Sequence, residues 1–84
     1  MGIQEREFGD FKIRLFYKDC KHLKDHHRYF VECLDTRYFV KIVIDSNVLD
    51  KSSTITMSDA IAKTKAYFRK RLNDMDYWEY FARP

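Results

Sequence analysis

Within residues 11–18, 27–34 and 37–45 apolar side chains recur at every second position, with a polar loop over residues 19–26 between the first two runs, and from residue 57 the interval changes to three and four. A chain patterned in this way folds as strands followed by a helix. Residues 11–18 place Phe11, Ile13, Leu15 and Tyr17 on one side and Lys12, Arg14, Phe16 and Lys18 on the other, as a strand with two unlike faces requires. Residues 27–34 alternate again, with Tyr29, Val31 and Cys33 in phase, and residues 37–45 do so with Tyr38, Val40, Ile42 and Ile44. A two-residue loop at Asp35 and Thr36 sets Cys33 opposite Tyr38, Val31 opposite Val40 and Tyr29 opposite Ile42. The preceding hairpin then aligns Ile13 with Cys33, Leu15 with Val31 and Tyr17 with Tyr29. The partners agree in character, and a slip of one residue would turn every one of them to the wrong face. Asp35 and Thr36 are not the Asn-Gly pair that so tight a turn favours, which leaves room for a loop one residue longer at each end.

After a polar connection over residues 46–55, Thr56 with Asp59 three positions later gives a start resembling a capping box. The spacing predicts a helix over about residues 57–75, with Met57, Ile61, Thr64, Phe68, Leu72 and Met75 along its apolar stripe. Asn73, Asp74 and Asp76 either end it or let it run on into Tyr77, Trp78, Tyr80 and Phe81. The expected fold class is α+β: a three-stranded antiparallel β-meander (11–18, 27–34, 37–45), packed on one face by a single C-terminal helix and followed by an aromatic tail. All 84 residues are read as one small domain.

Composition narrows the classes. An aromatic content of 17% with only two glycines and one proline is that of a chain that buries a core, not of a disordered segment. The longest apolar stretches, Tyr38 to Val40 and Ile42 to Ile44, are broken by Lys41 and fall far short of the roughly 20 residues a bilayer needs, so no membrane partner is expected. The start is polar and acidic, so no secretory signal is expected and the expected location is the cytoplasm, with Cys20 and Cys33 reduced. The register keeps those two thiols roughly 23 Å apart along the strand, too far for a disulfide.

The net charge is +3, and the positive charge gathers in residues 10–41 and 60–75. One helix covers one face of a sheet, so the other face needs an explanation. It is expected to present Lys12, Arg14, Lys18, Arg28, Arg37 and Lys41 against Glu32, with Phe16, Phe30 and Phe39 interleaved. Rings for stacking and cations for phosphate suit a nucleic acid, single-stranded above all. The expected site is Arg14, Phe16, Lys18, Arg28, Phe30, Arg37, Phe39 and Lys41. The same features suit a protein interface. The alternative is therefore a protein-binding inhibitor or assembly subunit of the phage or accessory type, docking through this face or through the aromatic tail. Two further arrangements would hide the face: the tail folded over its rings, or a homodimer formed through it. A secondary basic face lies on the helix at Lys63, Tyr67, Lys70 and Arg71, a pattern that is usually a solvated surface and one that the helix dipole favours in any case.

No cofactor and no catalytic residue is expected. Cys20, His22, His26 and His27 gather near one loop without the paired-ligand spacing of a structural zinc site, so no metal is assigned. Gly2 and Gly9 cannot form a phosphate-cradling loop, and no nucleophile–base pair is legible. The strand, strand, strand, helix order is similar in outline to the small DNA-binding domains at the N-termini of some tyrosine recombinases and to plant AP2 domains, which lay a three-stranded sheet into a groove. Their glycine-centred hairpin motif is absent from residues 19–27, so the resemblance transfers no binding residue, and analogy of fold does not establish function. Residues 27–35 followed by 56–72 also resemble HicB-type antitoxins, from which the strand at 37–45 departs.

Overall fold

The computed structural model describes residues 2–71. They form β1 (Gln4–Phe8), β2 (Phe11–Asp19), β3 (His26–Asp35), β4 (Val40–Asp50) and α1 (Met57–Arg71). The strands make one antiparallel sheet in the order β1-β2-β3-β4, and α1 packs on one face of it. The fold is α+β as the alternation predicts, but the sheet has four strands and not three.

The additional strand, β1, has the sequence Gln-Glu-Arg-Glu-Phe, and no apolar alternation announces it. Its pairing comes from the hairpin: Phe8 faces Phe11 across Gly9 and Asp10, and Gly9 adopts φ 58°. Glycine at the first central position of a two-residue loop matches the right-handed twist of the strands it joins. Lys12 ties the edge strand across the ladder, 3.3 Å from Glu5 and 3.8 Å from Glu7.

The core lies between α1 and the central strands. Ile13, Leu15 and Val31 are fully buried, with Phe11, Tyr29, Cys33, Ala60 and Phe68 around them. Each large aliphatic side chain contributes about 1.5–3 kcal/mol by leaving water. The β2–β3 register is the expected one: Ile13 pairs with Cys33, Leu15 with Val31 and Tyr17 with Tyr29.

The β3–β4 register is corrected. The connection is residues 36–39, not the dipeptide Asp35-Thr36, so Cys33 pairs with Ile42 where Tyr38 was expected, and Asp35 pairs with Val40. The strand begins at Val40, not at residue 37, and runs to Asp50, where a loop was expected from residue 46. Farther along, Glu32 pairs with Val43 and Val31 with Asp45, which leaves Ile44 as the extra residue of a bulge. The bulge reverses the alternation and brings Asp45 to the helix side. There its carboxylate accepts a hydrogen bond from the Tyr29 hydroxyl and lies 3.1 Å from Lys63 Nζ. Burial alone would raise the Asp45 pKa, but the Tyr29 and Lys63 hydrogen bonds and the Lys63 charge more than offset it and hold the carboxyl below its ordinary range. The Tyr29 phenol is pushed up to about 12 by burial and by donating to Asp45.

The start of α1 follows the capping expectation. The Asp59 carboxylate accepts from the Thr56 backbone N–H and hydroxyl, both at 3.0 Å, and the Thr56 hydroxyl accepts from the Asp59 N–H at 3.1 Å. Thr56→Ala removes one side of this box and is expected to cost about 1 kcal/mol, read as a lower midpoint of thermal unfolding with unchanged helical content. Thr64 is buried because its hydroxyl donates to the Ala60 carbonyl at 2.8 Å, and Ala60, outside the expected stripe, lets the helix approach the sheet closely. The segment before the helix is fastened by Tyr17, whose hydroxyl donates to the Ile55 carbonyl at 3.1 Å and accepts from its N–H at 2.9 Å. Leu72, Met75, the end of the helix and the aromatic tail lie outside the described residues.

Candidate nucleic-acid interface

The face of the sheet turned away from α1 combines Glu5 and Glu7 from β1 with Lys12, Arg14, Phe16 and Lys18 from β2. From β3 it takes Arg28, Phe30, Glu32 and Leu34, and from β4 Lys41, Val43, Ser46 and Val48. Its charge is divided along the strands. Toward the turns at residues 9–10 and 36–39 the cations are neutralised: Lys12 by Glu5 and Glu7, Arg14 at 3.7 Å and Lys41 at 3.6 Å by the two oxygens of Glu32. Glu32 is 5% exposed beneath those two cations.

Toward the loop at residues 20–25 the balance is different. Lys18 and Arg28 are direct cross-strand partners, and among the described residues neither has a carboxylate within ion-pair distance. Like charges directly opposite one another destabilise a sheet. One step inward Phe16 pairs with Phe30, their rings stacked with centroids 5.1 Å apart and 14° between planes. Lys18 Nζ stands 5.6 Å from the Phe30 centroid and 6.0 Å from that of Phe16, and the Arg14 guanidinium is 6.0 Å from the latter. On the far side Phe30 faces only Ser46, whose hydroxyl accepts from Arg28 Nη1 at 3.4 Å. The result is a half-buried aromatic pair with two cations beside it that no described acid neutralises.

Two residues expected here are elsewhere. Arg37 lies in the turn before β4, where its Nε and Nη2 donate to Asp35 at 3.2 and 3.1 Å and its Nε stands 3.6 Å from Asp10. Those hydrogen bonds hold the Asp35 carboxyl below its ordinary range and push the guanidinium pKa further up. Phe39 occupies the same turn, 86% exposed and at φ 54°, so it does not join Phe16 and Phe30. Both displacements follow from the longer loop. On the helix, Lys63 is engaged by Asp45, and Tyr67 packs half-buried, edge-on to Phe68 at 5.3 Å. The side chains of Lys70 and Arg71 lie outside the described set.

Cys33 and His27 take structural places. Cys33 is 2% exposed, and burial together with the nearby Asp35 charge pushes its thiol up to about 12, far from the reactive thiolate range. His27 is buried in β3, stacked on Tyr17 at 4.5 Å, with Nε2 donating to the Ser53 carbonyl at 2.8 Å. Cys20 and His26 meet only through the backbone, the Cys20 N–H donating to the His26 carbonyl at 3.3 Å. Among the described residues no group of three or more His, Cys, Asp or Glu side chains is placed to hold a metal ion. No protein-family model matches the chain, and no curated protein or solved structure matches it either.

Proposed function

We propose that this protein is a non-enzymatic binding protein that engages single-stranded nucleic acid at the Lys18, Arg28 end of its outer sheet face. The observation that carries this reading is the like-charged pair Lys18 and Arg28, placed directly opposite each other beside the stacked Phe16 and Phe30. An arrangement that costs the free domain stability is relieved when a phosphate sits between the two cations. The aromatic pair beside it offers apolar ring surface to a base. Arg14 and Lys41, each shared with Glu32, line the approach and contribute less.

The test is a titration of labelled single-stranded and duplex oligonucleotides followed by fluorescence anisotropy. Two neutralised phosphates predict that single-strand affinity falls about 7-fold between about 50 and 200 mM salt. Arg28→Gln is expected to weaken binding and reduce the slope of log affinity against log salt by about 0.7, while leaving the fold as stable as before or up to about 1 kcal/mol more so. Affinity that ignores Arg28→Gln, or a variant that loses stability along with binding, contradicts the reading.

A second reading, docking of a protein partner, is favoured by one observation. At the 36–39 turn, Tyr38 is 68% and Phe39 86% exposed, and Phe39 holds a left-handed backbone that costs a non-glycine residue about 1–3 kcal/mol. Absence of nucleic-acid binding at low salt, with partner capture lost in Phe39→Ser, would favour it.

A further inference from the structure

Among the described residues β1 pairs only with β2 and β4 only with β3, and the two edges of the sheet are unlike. β1 is five residues long and carries Glu5, Arg6 and Glu7. Short, charged edge strands discourage further pairing. β4 is eleven residues long and carries Val40, Ile42, Val43, Ile44, Val48 and Leu49, with Val40 and Val43 each 50% exposed. A long apolar edge is a template for another strand. Of its charges, Lys41 is drawn to Glu32, and Asp45 to Tyr29 and Lys63.

The sequence of β4 is complementary to itself. Before the bulge Ile42 is on the helix side and Lys41 and Val43 on the outer side; after it Asp45, Asn47 and Leu49 are on the helix side and Ser46, Val48 and Asp50 on the outer side. Two copies of the strand can be laid antiparallel about Ser46, with Ile44 the extra residue on each. Ser46 then meets Ser46, Asp45 meets Asn47, Val43 meets Val48, Ile42 meets Leu49 and Lys41 meets Asp50. Every pair joins residues of the same face, as one continuous sheet requires. Apolar meets apolar, and the outermost pair is of opposite charge. The two bulges fall at equivalent places on either side of the centre and leave the pairs at each end in phase. We propose that the β4 edge is a dimer interface, at which two copies of this chain pair antiparallel about a two-fold axis at Ser46 and join their sheets into one. The contact is isologous, so each of these pairs occurs twice except the one on the axis. The pairing stands whether or not the outer face binds nucleic acid. An axis perpendicular to the sheet turns both outer faces the same way and sets the two Phe30 positions three strand spacings, about 14 Å, apart in one row.

The test is made on the full chain without nucleic acid. Sedimentation equilibrium is expected to show one chain at about 1 μM passing to two at about 500 μM, the behaviour of an interface below standard size. Cys20 is half-buried and Cys33 buried, so crosslinking is read in a Cys20→Ser background. There Ser46→Cys places two thiols as direct partners with Cα atoms about 4.5–5.5 Å apart, inside the roughly 4.4–6.8 Å span of a disulfide, and mild oxidation should yield a covalent dimer. Lys41→Cys, whose copies lie more than about 25 Å apart, should stay a single chain. Val43→Lys, which sets a cation against Val48 of the second copy, should raise the dissociation constant about ten-fold or more with circular dichroism unchanged, whereas Phe30→Ala should not move it. Three results would overturn the proposal: a single-chain mass at every concentration; equal crosslinking at residues 41 and 46; or a dimer that survives Val43→Lys, which, if lost in Phe30→Ala, forms through the outer face.

Discussion

Leu15→Ala should lower the unfolding free energy by about 2–5 kcal/mol, because Leu15 is fully buried at the centre of the core and its removal adds a cavity to the lost transfer free energy. Leu15 is flanked by Val31 across β3 and by Gln4 across β1, and neither can move in to fill the space without breaking the ladder. For a domain of this length the loss corresponds to a fall of at least ~8 °C in the unfolding midpoint. Val43→Thr is the control: Val43 is 50% exposed on the outer face, and its replacement should change stability by no more than about 0.5 kcal/mol. A Leu15→Ala midpoint within the range of the control would mean that the core does not lie between α1 and the central strands. Urea unfolding of the three proteins, compared at equal slope, measures both effects.

Phe30→Ala should weaken single-strand binding by about 1–3 kcal/mol, the loss found when a ring that stacks a base is truncated. Phe30 is the ring to remove, because its direct cross-strand partner on β4 is the small Ser46. The stacked partner Phe16 stays, so part of the platform survives. The same change also removes a ring–ring contact from the fold, worth about 0.5–1.5 kcal/mol, and the affinity must therefore be measured where circular dichroism finds the variant folded. Phe39→Ala is the matched comparison: the ring is 86% exposed in the 36–39 turn, away from the stack, and its loss should leave nucleic-acid affinity unchanged. Equal losses in the two variants would point to a general effect of aromatic removal and not to a site.

The β2–β3 pairing was legible because the alternation of two long runs excludes any odd slip, and aligning the runs end to end selects Ile13 with Cys33, Leu15 with Val31 and Tyr17 with Tyr29. The β3–β4 hairpin was only half legible. The loop is longer than the expected dipeptide, and the offset of Cys33 from Tyr38 to Ile42 is an even number of residues. Val40 and Ile42 therefore kept their expected face while every cross-strand partner changed, and Arg37 and Phe39 passed from the sheet into the turn. The bulge at Ile44 left no mark in the sequence, although it decides that Asp45 meets Tyr29 and Lys63 on the helix side. That contact takes Lys63 from a solvated basic face into an ion pair.

The first strand was missed for a different reason. An exposed edge strand needs no apolar alternation, and Gln4–Phe8 has none. The available signal was Gly9-Asp10 between Phe8 and Phe11, a glycine-led two-residue loop of the kind that closes hairpins. Its consequence for the candidate site is large. Glu5 and Glu7 arrive beside Lys12, and with Glu32 holding Arg14 and Lys41 the face expected to carry one acid against six cations contracts to Lys18 and Arg28 with the rings next to them. Phe16, Phe30, Arg14, Lys18, Arg28 and Lys41 are on the expected face; what sequence alone did not reveal is which of the cations an acid already holds.

The most direct measurement is a titration of isotope-labelled protein with a short single-stranded oligonucleotide, followed through backbone amide chemical shifts. The largest changes are expected at Phe16, Lys18, Arg28 and Phe30, at one end of the outer sheet face, diminishing as salt rises. Shifts centred on residues 36–39 of the turn, or none at a ligand concentration well above that of the protein, would contradict the proposed site.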